Sequence, residues 1–298
     1  MSDDFYLHPL FLPPHPHLNQ YKKLAKDFQH ACKLADPGAI RQWAERSKEA
    51  VARLDGLEIT PQVRNEIVRE ARQIEQRWHE FKKSNEHAGR CTLAGAQLFV
   101  ARVHGFASWQ KFAAHVEELA HENTPVSNFE TGVDAIVSGD AARLTALLSE
   151  NPELVRMRSS REHRSTLLHY VSANGVEDFR QKTPKNIVEI AKLLLDEGAD
   201  VNAESDAYGG QSTTLGLTAT SCHPEDAGVQ IPLLELLIDR GATIDGRNGG
   251  SAVVGCLKNG RGQAAEYLAS RGARLDLEER REPGALTRCR AFSTITAA

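Results

Sequence analysis

The chain has 298 residues, 41% hydrophobic and 26% charged, with a formal net charge of −4. That balance suits one or two globular domains, or one domain plus a repeat array, and gives no bias toward nucleic acid or an anionic membrane surface. Five scattered cysteines (Cys32, Cys91, Cys222, Cys256, Cys289) contain no C-x-x-C pair, so neither a disulfide framework nor a zinc site is signalled, and a reducing, cytoplasmic setting is expected.

The opening MSDDFYLHPLFLPPHPH is acidic and broken by prolines, which excludes a signal peptide or membrane span. Residues 1–20 read as a Pro/His-rich arm, in which His15 and His17 lack the further ligands a metal site needs. From Leu18 the apolar residues fall at helical intervals: Leu18, Tyr21, Leu24, Ala25, Phe28 and Cys32. Asp36-Pro37-Gly38 breaks the chain, and the stripe Ile40, Trp43, Ala44, Val51, Leu54 predicts a second helix lying beside the first. Thr60-Pro61 supplies an N-cap and a first-turn proline for a long helix with Val63, Ile67, Ala71, Ile74, Trp78 and Phe81 on one stripe. Its other face carries Arg and Lys, but Glu66, Glu70, Glu75 and Glu80 alternate with them, which marks a solvated surface rather than a nucleic-acid stripe.

Leu93, Ala96, Val100 and Val103 predict another helix, ended by Gly105 in a left-handed cap. Ser108 then caps a helix within GFASWQKFAAHVEEL whose Trp109, Phe112, Val116 and Leu119 line one packing face. Residues 21–122 therefore read as a helical domain, and the polar, proline-containing residues 123–131 as a linker.

Beyond the linker one phrase recurs: LLLDEGADVN at 193–202, LLIDRGATID at 236–245 and YLASRGARLD at 267–276. Each is a leucine-rich helix end, a glycine (Gly198, Gly241, Gly272) suited to a left-handed turn, an alanine, and an outgoing segment. Self-similarity at such a period means stacked units that share a continuous core. With the openers Ser165-Thr166-Leu167-Leu168-His169-Tyr170 and Ser212-Thr213-Thr214-Leu215, the text resembles the ankyrin repeat family, whose unit of about 33 residues is two antiparallel helices and a β-turn. The resemblance implies that His169 ties its turn to a neighbour by hydrogen bonding. Leu167 stands where the family has proline, and Gly216 or Leu217 stands near the next histidine position.

A first unit is traced from Val133 through Ser138-Gly139-Asp140 to Asn151-Pro152, and a fourth from Gly249 to Leu275. Gly198 and Gly241 lie 43 residues apart, longer than the family period, so residues 176–186 and 221–232 are expected to project as two enlarged loops. The N-terminal half resembles a helical leader found ahead of ankyrin repeats in a set of bacterial proteins. The fold expected is all-α: an ankyrin-repeat solenoid of about four units over 132–278, preceded by the helical domain and followed by an irregular tail, 279–298, expected to be disordered or an ad hoc cover.

The resemblance implies a non-enzymatic protein-interaction scaffold using its concave face, hairpin tips and inserted loops. Candidate partner-binding residues at the tips are Arg161, His163, Asp206, Tyr208, Gln211, Arg247 and Asn248, with Glu162 and Arg164 beside the first pair. The partner implied is a protein, not nucleic acid or membrane. An alternative places a small-molecule or metal-binding enzyme site between leader and inserted loops, using His163, His169, His223 or Cys222. No spacing of nucleophile, base or ligands supports it, so no catalytic residue, metal or cofactor is assigned.

Overall fold

The computed structural model describes residues 12, 16–34, 36, 38–54, 58–84, 91–246 and 250–275. Most of the expected arm, the tail 279–298, Arg247, Asn248 and Gly249 lie outside the described residues.

The leader is built from α1 (Leu18–Lys33), α2 (Ala39–Leu54), α3 (Pro61–Ser84), α4 (Leu93–Val103) and α5 (Trp109–Leu119). Spacings of three and four residues put Tyr21, Ala25 and Phe28 on one face of α1, and Ile67, Ala71, Ile74 and Trp78 on one face of α3, all buried. Phe28 is the hub, with ring centroids 4.8 Å from those of Trp43, Trp78 and Phe99. The start signals hold: Thr60 Oγ1 accepts from Val63 N at 3.3 Å, and Ser108 Oγ from Lys111 N at 3.3 Å. His17 caps α1, its Nδ1 accepting from Asn19 N at 3.2 Å. Cys32 and Cys91 correct the reading of unpaired cysteines. Packing of α1 on α4 sets their Cα atoms 5.7 Å apart and joins them as a disulfide across 59 residues, a separation too long for sequence spacing to signal.

Residues 123–131 are not a linker. Thr124 accepts from Ser127 N and Pro125 opens α6 (Pro125–Ser138), because a Thr-Pro pair is itself a helix start. Then follow α7 (Ala141–Glu150), a 3₁₀ turn at Leu167–Ser172, α8 (Ile187–Asp196), a short hairpin of β1 (Glu204–Ser205) and β2 (Ser212–Thr213), α9 (Thr214–Thr220), α10 (Cys222–Asp226), α11 (Gln230–Asp239), α12 (Ala252–Lys258) and α13 (Gly262–Ser270). The described chain is mostly helical. Within it α6, the 3₁₀ turn, α9 and α12 pack in succession as one layer, and α7, α8, α11 and α13 as a second layer. One apolar interior runs through both, from Phe129 past Leu168, Leu194 and Leu234 to Leu268 and Ala273. The repeated glycines Gly198, Gly241 and Gly272 sit at φ of 91°, 88° and 92°, where a Cβ would be strained.

His169 accepts from Thr166 N through Nδ1 at 3.1 Å, which leaves the proton on Nε2 to reach the Ser212 carbonyl 3.2 Å away in the following hairpin. Neither insertion projects as an enlarged loop. Residues 221–232 wind into α10 and the start of α11, where buried Gln230 donates to the Thr218 and Ser221 carbonyls, each at 3.0 Å. Residues 176–186 turn inward and bury Glu177 and Arg180.

Candidate functional site

Two places gather polar side chains: a groove beside the β1–β2 hairpin, and the junction between leader and first helix pair.

The hairpin tip is conformationally demanding. Tyr208 and Gln211, flanking Gly209-Gly210, take φ of 52° and 59°, a region that L side chains enter at a cost. The tip is fixed from below. Tyr208 O–H donates to Asn174 Oδ1 at 2.5 Å, and Asn174 Nδ2 donates to the Leu217 carbonyl and Thr220 Oγ1, both at 3.1 Å. Gly175 lies under the ring, where a Cβ would come within 3.3 Å of Tyr208 Cε2. The ring nevertheless stays 55% exposed. It borders a groove of about 310 Å³ lined also by Gly216, Leu217, Gly255, Thr243, Asp245 and Ser251. Asp245 is held by Ala252 N at 3.1 Å and Arg274 N at 2.8 Å. Partial burial of Tyr208 raises its phenol above the usual range.

At the junction, residues 157–166 form a turn closed by an Arg158–Thr166 bridge. Arg161 leaves it inward, 2% exposed, with Nη1 2.5 Å from Glu130 Oε1 and Nε 2.8 Å from Glu177 Oε1. Arg180 pairs with the other Glu130 oxygen and, through Nη2, with Asp134 at 2.8 Å. His163 Nε2 lies 3.6 Å from Glu177 Oε1. Burial alone would protonate both glutamates, but the guanidiniums, Arg161 foremost, win: Glu130 is held down at about 2 and Glu177 well below the carboxylate range. Burial would likewise lower Arg161 and Arg180, and the two carboxylates reverse this. Two cations against two anions leave the buried centre neutral, which is the condition for keeping charge out of water.

The leader closes over this centre. His115 Nδ1 meets Ser160 Oγ at 2.7 Å, Glu162 N donates to the Gly105 carbonyl at 2.9 Å, Arg102 pairs with Glu162, and Arg161 lies over the Phe106 ring at 5.6 Å. Burial, then Arg161, pushes the His115 imidazole down to about 3, so it is neutral near pH 7.

The structure therefore separates the expected tip residues. Tyr208 and Gln211 line the same groove, and Asp206 is exposed on the same tip, its N–H donating to the His163 carbonyl at 2.8 Å. Arg161 and His163 are corrected: they are buried, because the inserted residues bring in Glu177 against both and Phe106 of the leader lies over Arg161. Arg247 and Asn248 lie outside the described residues. His163 and His169 are buried, whereas Cys222 is exposed on α10 beside half-buried His223. Among the described residues, no three His, Cys, Asp or Glu side chains are placed to hold a metal ion. No helix among them is long and apolar enough to cross a membrane. Glu130, Glu177, Arg180 and Asn174 escaped the sequence reading. Only Glu130 left a trace, as a charge on the buried stripe Val126, Phe129, Val133, Ile136. The chain matches no protein-family model and no curated protein.

Proposed function

We propose that the chain is an ankyrin-repeat protein whose function is to bind a partner protein, without catalysis, in the groove between Tyr208 and Asp245. The observation that carries this reading is Tyr208, a large side chain 55% exposed yet anchored by Asn174 on a tip of positive-φ residues. An aromatic already fixed in place loses little further freedom on binding, which is the property of an interface hot spot. The recurrent Gly198, Gly241 and Gly272 turns, the layered helix pairs and the bridging role of His169 support the family assignment.

The test separates binding from folding. A Cβ at Gly255 would meet only Thr220 Cγ2, at 3.7 Å, so the position accepts a side chain at its first carbon, and Gly255→Leu adds apolar bulk to the groove lining while improving helix propensity. Tyr208→Ala removes the anchor. Affinity capture followed by mass spectrometry is expected to lose the wild-type partner with either variant, by roughly 30-fold for a loss of about 2 kcal/mol. Undiminished capture by both variants, with unchanged thermal midpoints, overturns the assignment.

A further inference from the structure

The apolar cluster of the leader ends at Leu119, that of the array begins at Phe129, and the two share no residue. The bridge between them is largely polar. It includes the packing of α5 on α6, residues 157–166, whose Ser160, Arg161 and Glu162 reach His115, Phe106 and Gly105 of the leader, and Arg77 of α3, which feels the charge of Asp178 in the inserted segment. A joint of this kind does not oblige the two interiors to open together.

We propose that residues 157–166, braced by Glu130, Glu177 and Arg180, form an acid-released clasp that docks the leader on the array, so that the two separate as folded units before either unfolds. The group poised to release it is His115. Facing it are Arg161 from the turn, Glu130 from α6, and Glu177 and Arg180 from the inserted segment, with His163 on Glu177. His104 and Tyr21 of the leader pack on Phe112, one turn before His115. In the docked form the two buried carboxylates are matched by two guanidiniums, with Asp134 on Arg180 only at the exposed edge, so a proton on buried His115 adds a cation without a partner inside the centre. Burial and Arg161 hold the docked imidazole at about 3, whereas in water it has its ordinary pKa of about 6.5. The undocked form thus binds a proton that the docked form refuses, and the equilibrium moves toward it as the pH falls below that value.

The experiment is small-angle scattering with far-UV circular dichroism on the intact chain from pH 7.5 to 4.5. The expected result is a step increase in radius of gyration at unchanged ellipticity. His115→Gln, which cannot take the proton, is expected to remove that step from this pH range. Glu177→Gln, which unbalances the centre, is expected to be separated at pH 7 with its helices intact. The proposal is overturned if the radius stays constant until ellipticity is lost, or if His115→Gln leaves the step in place. It is equally overturned if Glu177→Gln loses its helical signal at pH 7, because the centre then sustains the fold rather than the joint.

Discussion

Lowering the pH from 7 to 5 is expected to weaken the leader by on the order of 2 kcal/mol, before its carboxylates titrate appreciably. His104 is 4% exposed, its Nδ1 lies 2.7 Å from the Val100 carbonyl, and its ring packs between Tyr21 and Phe112. Burial depresses its pKa to about 4. This folded value lies below the unfolded value of about 6.5, so the stabilising contribution is present above it and is lost as the pH falls toward the folded value. Between pH 7 and 5 the unfolded chain takes up a proton at this ring while the folded one does not, which amounts to about 2 kcal/mol. The three tryptophans, Trp43, Trp78 and Trp109, all belong to the leader, so guanidinium titrations followed by their emission report it selectively. His104→Phe keeps an aromatic against Tyr21 and Phe112 but cannot titrate, and most of the pH dependence is expected to vanish. Identical extrapolated stabilities at pH 7 and 5 for wild type would refute the assignment of a buried, neutral His104.

Phe28→Ala removes the ring that Trp43, Trp78 and Phe99 surround and is expected to destabilise the leader by about 3–5 kcal/mol. A change below 1 kcal/mol in the tryptophan-monitored transition would show that the four rings do not form a common core. Reducing Cys32–Cys91 opens a covalent loop across 59 residues and is expected to lower the same transition by roughly 4 kcal/mol on the chain-entropy account. Equal thermal midpoints with and without dithiothreitol, at matched thiol titrations, would contradict the pairing.

The leader was legible because each of its helices writes a stripe at intervals of three and four, and because Thr60-Pro61 and Ser108 are start signals with a local mechanism. Thr124-Pro125 carries the same start signal, a cap and an N1 proline, inside a polar stretch whose composition alone reads as a linker. The recurrent glycines disclosed their turns through backbone sterics alone. Tyr208 and Gln211 were legible as exposed tip residues. Their left-handed backbone was not, since neither residue type demands it and the constraint comes from Asn174, 34 residues earlier. Arg161 and His163 show the limit most sharply. Charged residues in a turn read as solvated, and only a carboxylate delivered from residue 177 and a cover supplied by α5 reverse that. Cys32 and Cys91 fail for a related reason: helix packing, not sequence proximity, brings them together.

The inward course of both insertions has a consequence for how much of the molecule a visitor meets. Extra chain between repeated turns ordinarily widens the territory available for contact. Here Glu177, Arg180 and Gln230 turn part of it inward, as bracing, while Asp178 and Cys222 stay exposed. The groove beside Tyr208 is lined by residues between Asn202 and Gly255, so a ligand held there would leave the N-terminal third untouched.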